Sequence, residues 1–239
     1  MGDLLVAEFG AANGNYGSII KITPQGAQST FASSLNSPVT LAMSSNGDLY
    51  VGSYSSGTIV KIRPDGVQST FASGLPYPQG MAFDSKGDLF VVSYGNNCIY
   101  KITPGGVGTI FASGLSHPYG LAINSADHVF EADDFSTTLN EFTPSGAKST
   151  FGFGLLNVYN CLACDNADNL FVGEYGTGTG YDGSIVKITP DGVQSTFASG
   201  LYAPMALAFG VPEPSSLALL VVGGSALLIL LPRFRTRKT

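Results

Sequence analysis

Carboxylates gather at one point of a phrase that the chain repeats. Where each copy of the run G-D-L-x-V, or a degenerate form of it, ends, the sequence places Glu8, Ser53, Ser93, Asp133 and Glu174. Like charges held within ~4–6 Å repel and raise one another's pKa, so such a group needs a cation, a proton or a polar ligand to offset its cost. Glu131 adds a fourth acid where other copies carry Val51, Val91 and Val172. A carboxylate in a buried strand is costly unless paired, protonated or bound to metal. The other reading stays open beside this one: acidic strand ends also satisfy backbone N–H groups of nearby loops.

Loop spacing marks the same sector. The count from strand end to the next strand is 8 for Ser53 to Lys61, Ser93 to Lys101 and Asp133 to Glu141, but 13 for Glu8 to Lys21 and Glu174 to Lys187. The two longer spans end in N-Y-G-S-I and Y-D-G-S-I and bring Tyr16 and Tyr181 to a rim. Phrases of the type S-G-L-x-x-P add Tyr77, Tyr119, Tyr159 and Tyr202 on the same face. Tyrosine faces beside carboxylates suit sugar rings, by stacking and by hydrogen bonds to hydroxyls. The candidate ligand site is therefore Glu8, Tyr16, Tyr119, Asp133, Tyr159, Glu174 and Tyr181.

Other chemistry is sparse. Cys98, Cys161 and Cys164 are the only cysteines. In a strand, the i and i+3 positions of C-L-A-C point to opposite faces, which argues for core filling over a metal or redox pair. His117, in S-H-P-Y-G, and His128, at a turn, read as solvated loop residues. There is no H-E-x-x-H, G-x-S-x-G or P-loop, and G-T-G-T-G (Gly176 to Gly180) lacks a βαβ setting. A net charge of −6 excludes a nucleic-acid partner, which needs Lys and Arg on phosphates.

The elements that position these residues follow from repetition. The phrase K-I-T-P-x-G and its variants recur with Pro24, Pro64, Pro104, Pro144 and Pro190, in steps of 40, 40, 40 and 46. S-T-F-A-S and its variants follow at the same steps, with Phe31, Phe71, Phe111, Phe151 and Phe197. One copy reads as four short strands, at Gly80–Phe83, Leu89–Tyr94, Ile99–Thr103 and Val107–Ala112, separated by P-D-G, P-G-G or N-G turns. With 31 Gly and 13 Pro interrupting every long stretch, helical repeats are excluded. A period of about 40 with four antiparallel strands is a β-propeller blade. The chain begins at strand two and reaches strand one again at Met205–Phe209, which can complete the first blade and leave no open edge. The expected fold is an all-β propeller of about five four-stranded blades over residues 1–210, or six if the chain lacks its beginning.

The repeats, P-Q-G-M-A-F-D-S-K-G-D-L-F-V-V-S-Y (Pro78 to Tyr94) above all, resemble NHL-type repeats over residues 2–209. These are related to the regucalcin, gluconolactonase and streptogramin lyase propellers. The gluconolactonase resemblance implies a divalent cation such as Ca²⁺ in the channel, held here by Glu8, Asp133, Asn160 and Glu174. Asn160 stands for the Gly80 or Gly120 of other copies.

Residues 211–239 are of another kind, with a charge of +3 against −9 for the rest. Pro212, Glu213 and Pro214 precede an apolar run, Leu217 to Leu231, and the basic end holds Arg233, Arg235 and Arg237. At ~1.5 Å per residue the run reaches roughly 23 Å as a helix, near a ~30 Å hydrocarbon core once flanking residues extend it. The order resembles the PEP-CTERM sorting signal of exported Gram-negative bacterial proteins. It implies export, a single C-terminal transmembrane helix, processing by an exosortase-type enzyme, and a place in the cell envelope. Export needs a leader, so the true N-terminus is expected upstream of Met1. Together these features predict an exported binding or scaffold module for extracellular polysaccharide or another envelope component, with a metal-dependent hydrolase or lactonase as the alternative.

Overall fold

The computed structural model describes residues 3–10, 16–177, 182–202, 204, 207 and 220–222, with Tyr159, Asn160 and the last three described by backbone alone. It is a five-bladed, all-β propeller. Blade one holds β1 (Leu4–Glu8), β2 (Tyr16–Ile22) and β3 (Gln28–Asn36). Blade two holds β4 (Pro38–Met43), β5 (Leu49–Ser53), β6 (Thr58–Ile62) and β7 (Gln68–Ser73). Blade three holds β8 (Pro78–Phe83), β9 (Leu89–Ser93), β10 (Cys98–Ile102) and β11 (Gly108–Ser113). Blade four holds β12 (Pro118–Ile123), β13 (Val129–Asp133), β14 (Leu139–Phe142) and β15 (Lys148–Phe151). Blade five holds β16 (Val158–Cys164), β17 (Leu170–Glu174), β18 (Gly183–Ile188) and β19 (Gln194–Leu201). In blades two to five the four strands pair antiparallel in chain order. The first strand of each blade is the inner one, with β4 against β8, β8 against β12, and β12 against β16.

The core lies in the seams between blades, because the two faces of each second strand meet different neighbours. Val51 packs with Leu5, Ala7 and Ile19 of blade one, while Tyr50, one residue away, packs with Met81 and Leu89 of blade three. Period-two alternation makes this possible, since successive side chains leave opposite faces of the strand. The recurring Phe of S-T-F closes over the second-strand aromatic of its own blade. Ring centroids are 4.8 Å apart for Tyr50–Phe71, 4.9 Å for Phe90–Phe111, 4.9 Å for Phe130–Phe151 and 5.0 Å for Phe171–Phe197. Such pairs add about 0.5–1.5 kcal/mol beyond their buried area. The repeated Lys of K-I-T-P lies over the same rings, as Lys61 on Tyr50, Lys101 on Phe90 and Lys187 on Phe171. In blade four that lysine is Glu141, and its partner position, Asp48 or Asp88 elsewhere, is His128. The pair is kept with its polarity exchanged, His128 Nδ1 lying 2.7 Å from Glu141 Oε1. His128 is thus a half-buried partner of Glu141, not a solvated loop residue.

The inner edge of β1 is covered differently from expectation. β20 (Leu220–Val222) pairs with β1 in parallel, Leu5 opposite Leu220 and Ala7 opposite Val222. The expected closing strand, Met205–Phe209, lies outside the described residues apart from Leu207. Three residues of the run expected to form a transmembrane helix are therefore in a strand. No helix among the described residues is long and apolar enough to cross a membrane. The local reasons are plain: Val221 and Val222 are β-branched, Gly223 and Gly224 follow them, and β1 offers a row of backbone groups to pair.

Candidate functional site at the mouth of blades three and four

One end face is built from the loops entering each inner strand and the turns leaving each second strand. Four entry loops hold a non-glycine residue in the left-handed region at the same place: Ser37 (φ 46°), Tyr77 (52°), His117 (56°) and Asn157 (53°). That conformation costs about 1–2 kcal/mol for an L-residue and persists only where neighbours enforce it. Each of the four carbonyls accepts the N–H of the residue just past the second strand. Tyr54 N donates to Ser37 O (2.9 Å), Tyr94 N to Tyr77 O (3.2 Å), Asp134 N to His117 O (2.9 Å) and Tyr175 N to Asn157 O (3.1 Å).

The acids at the second-strand ends serve these loops. Asp133 Oδ1 accepts Ser116 N at 3.0 Å, and Glu174 Oε1 accepts Leu156 N at 2.9 Å. In blade three the equivalent loop residue is Pro76, which has no N–H to give. There Ser93 Oγ instead donates to Pro76 O at 2.8 Å. Glu8 Oε2 accepts Ser18 Oγ at 2.6 Å, and Glu174 Oε2 accepts Ser184 Oγ in the matching place on blade five. Asp133 and Glu174 are thus tied to the seam loop ahead of their own blade, and Glu8 to its own hairpin. Among the described residues no three His, Cys, Asp or Glu side chains come together to hold a metal ion.

Asn160 does not stand where Gly80 and Gly120 do. Measured from Leu162, which pairs with Val172 as Leu121 pairs with Glu131, that position belongs to Cys161. β16 carries one extra residue in its bulge, and a Cβ on Gly173 would strike the Cys161 sulfur just as one on Gly52 would strike Thr40. Among the described residues, Glu8, Asp133 and Glu174 are each bonded to local donors and do not gather at one metal-holding point. Tyr16 is exposed at the edge of the longer β1–β2 hairpin. Tyr181 and the side chains of Tyr159 and Asn160 lie outside the described residues, as do Pro212, Glu213, Pro214, Arg233, Arg235 and Arg237. The cysteines are free thiols. Burial raises all three, Cys161 furthest and Cys164 to about 12, which leaves them unreactive.

What the structure brings together is another group. Just past the second strands stand Phe9, Tyr54, Tyr94, Asp134 and Tyr175, four aromatics and one acid. Tyr94 meets the His117 ring at 5.3 Å and the Tyr119 ring, edge on, at 6.1 Å. Asp134 is half-buried, and its Oδ1 is enclosed with no hydrogen-bond partner. Desolvation raises its pKa, opposed by the positive charge that His117 can carry. Three residues earlier in the chain, on β13, Glu131 is fully buried in the seam and takes Asn140 Nδ2 at 2.7 Å on Oε2. A carboxyl with a raised pKa, an exposed imidazole, and Tyr94 and Tyr119 on one rim make an acid–base pair with an aromatic platform. Of this group, the sequence placed Tyr119 in the candidate site and marked Glu131 as a fourth acid, while His117 read as a solvated loop residue and Asp134 went unnamed. The signal available was the single acid in a column of aromatics.

No family model and no curated protein matches the sequence. Solved structures match in fold. A catalytically inactive histidine-to-alanine variant of virginiamycin B lyase from Staphylococcus aureus, with quinupristin, aligns at TM-score 0.65 and 18% identity, over 87% of this chain and 74% of that one. The nidogen/laminin complex aligns at 0.66 and 16%, over 86% and 83%. A gluconolactonase-like protein aligns at 0.66 and 14%, over 87% and 86%.

Proposed function

We propose that this chain is a catalytic propeller that opens a cyclic ester by acid–base chemistry at the mouth of blades three and four. His117 accepts the proton of an attacking water, the ester C–O bond breaks, and the leaving oxygen takes a proton back. Asp134 supports the imidazolium that forms in between, and Tyr94 and Tyr119 bind the substrate ring. The observation that carries this reading is Asp134: the one acid in the aromatic column, with an unpartnered oxygen and a histidine beside it. Two of the fold neighbours support an enzyme over a scaffold, and in one of them the loss of a histidine accompanies inactivity.

The test is a panel of lactones offered to the full chain, with and without chelator. Positioned acid–base groups contribute 10²–10⁴-fold, so His117→Ala and Asp134→Asn each lower kcat by roughly 10²-fold or more. Turnover untouched by both changes, or no turnover on any ester, overturns the assignment.

A second reading is favoured by the ring of aromatics on the same face, where Tyr54 and Tyr77 lie 4.8 Å apart. These faces suit extracellular polysaccharide, and the chain is then a binding module of the cell envelope. Glycan binding abolished by Tyr54→Ala, without turnover, selects it. Under either reading we infer export, with residues 211–239 serving as a sorting segment. Its apolar run, 217–231, meets the membrane, and an exosortase-type enzyme acts at Pro212–Pro214.

A further inference from the structure

Asn97 closes the turn after β9 in the left-handed region (φ 51°), where blade two has Gly57 (φ 63°). Glycine adopts that conformation at no steric cost, and asparagine is one of the few other residues that tolerate it. The two share one duty: the carbonyl of Gly57 accepts Leu75 N at 3.0 Å, and that of Asn97 accepts Leu115 N at 3.1 Å. Asn97 adds a second bond, since its side-chain Oδ1 accepts the N–H of His117 at 3.2 Å. Gly57 has no side chain with which to reach Tyr77, the residue in the place of His117. With Ser116 N on Asp133 Oδ1 at 3.0 Å, the successive amides of Leu115, Ser116 and His117 are all held from outside their loop. The His117 carbonyl takes Asp134 N at 2.9 Å, so this left-handed residue is fixed on both sides of its Cα. The same turn carries Tyr94, whose carbonyl accepts Asn97 N at 3.4 Å and whose ring lies 5.3 Å from the imidazole.

We propose that Asn97 is a positioning residue for His117: its side-chain oxygen sets where the imidazole stands against Tyr94 and Asp134. A backbone held at both its N–H and its C=O gives the His117 side chain one direction of departure, although the residue itself is exposed. The hold joins the loop entering blade four to the hairpin of blade three, so the histidine and the Tyr94 ring move as one unit. A misplacement of about 1 Å at a reacting group can cost on the order of 10²-fold in rate, which is what such a hold guards against. Non-glycine residues kept in the left-handed region at a candidate site, here Asn97 and His117 together, fit that role. The inference rests on the proposed activity for its effect on turnover, and on the hydrogen bonds alone for its hold on the loop.

Two variants of the full chain test it. Asn97→Gly, the residue of blade two, keeps the turn and the carbonyl bond to Leu115 and removes the side chain alone, whereas Asn97→Asp keeps the acceptor. Amide protection of His117 falls about fivefold in Asn97→Gly, with that of Leu115 unchanged, and returns in Asn97→Asp. On a lactone, kcat falls about tenfold in Asn97→Gly at constant KM, and Asn97→Asp recovers most of the loss. His117 protection that Asn97→Gly leaves level, or that Asn97→Asp fails to restore, overturns the hold on the loop. A kcat untouched by Asn97→Gly, or a loss that falls on KM alone, overturns the positioning role. The exchange pattern intact with no turnover on any ester overturns only the catalytic reading.

Discussion

Replacing valine by glutamate in a blade seam changes how stability depends on pH. Glu131 titrates at about 8 in the fold, against 4.5 for an ordinary glutamate. Between those values the folded chain keeps a proton that the unfolded chain has lost, so stability falls as pH rises through the window and levels off above it. The ceiling on this loss is on the order of 5 kcal/mol, lowered by any relaxation of the seam. Glu131→Val is therefore more stable than the wild type by an amount that grows from pH 5 to pH 8, as read by urea unfolding at several pH values. A constant difference would mean that Glu131 is ionised throughout. The same residue shows what was legible. Its oddity against Val51, Val91 and Val172 is visible in the sequence, but its partner is not. Nor does the sequence show that Asp133 and Glu174 are spent on Ser116 and Leu156, because that depends on which way each acid leaves its strand. Asp134 was missed for a related reason: beside Glu131 and Asp133 it looked like one more acid, and only its place among Phe9, Tyr54, Tyr94 and Tyr175 sets it apart.

Turns between first and second strands link neighbouring blades at the other end. Gly47 (φ 86°) and Gly87 (82°) take the left-handed place in blades two and three, and Asp127 (60°) and Asp168 (59°) take it in blades four and five. Aspartate tolerates this conformation better than most residues and adds a clamp. Asp127 Oδ1 accepts Ser85 N and its Oδ2 accepts Ser85 Oγ, both at 2.8 Å. Asp168 accepts Ser125 N at 2.8 Å and Ser125 Oγ at 2.6 Å. These bonds depress both carboxyls, the Ser85 N–H foremost for Asp127 and the Ser125 hydroxyl foremost for Asp168. The clamp thus holds above the ordinary carboxylate range and weakens as pH falls through the depressed values. Solvent exposure keeps its worth to about 1 kcal/mol. Asp127→Gly loses the clamp but also removes the Cβ from the left-handed region, whereas Asp127→Ala loses the clamp and keeps that Cβ. Thermal unfolding should show Ala worse than Gly by about 1 kcal/mol, and equal losses would show that the φ value carries no cost. Strands were legible because their signals are local: the expected four in blade three fall within two residues of those observed. The bulge in β16 was not, since an extra residue there leaves the repeat phrases intact and shifts only the pairing.

For the whole molecule the open matter is what closes the ring. Pro204 packs on Gly183 as Pro38 packs on Gly17, so the chain leaves blade five along the path by which it leaves blade one for an inner strand. In the full chain the inner edge of β1 is taken by Leu220–Val222 in parallel, whereas every other blade fills that place antiparallel. The apolar run cannot cover β1 and cross a membrane at once. If it is an address, its removal must leave an edge that the residues after Pro204 can fill, as Met205–Phe209 is patterned to do. Deleting residues 211–239 is then expected to move the protein from the membrane fraction to the soluble one. Its melting temperature should stay within a few degrees, with the amides of Leu5, Ala7 and Ile19 as protected as those of Leu49 and Val51. Rapid exchange confined to β1 and β2 would show instead that the tail is the last strand of blade one. Its apolar character would then belong to the core of the propeller, and the inference of membrane attachment would fall with it.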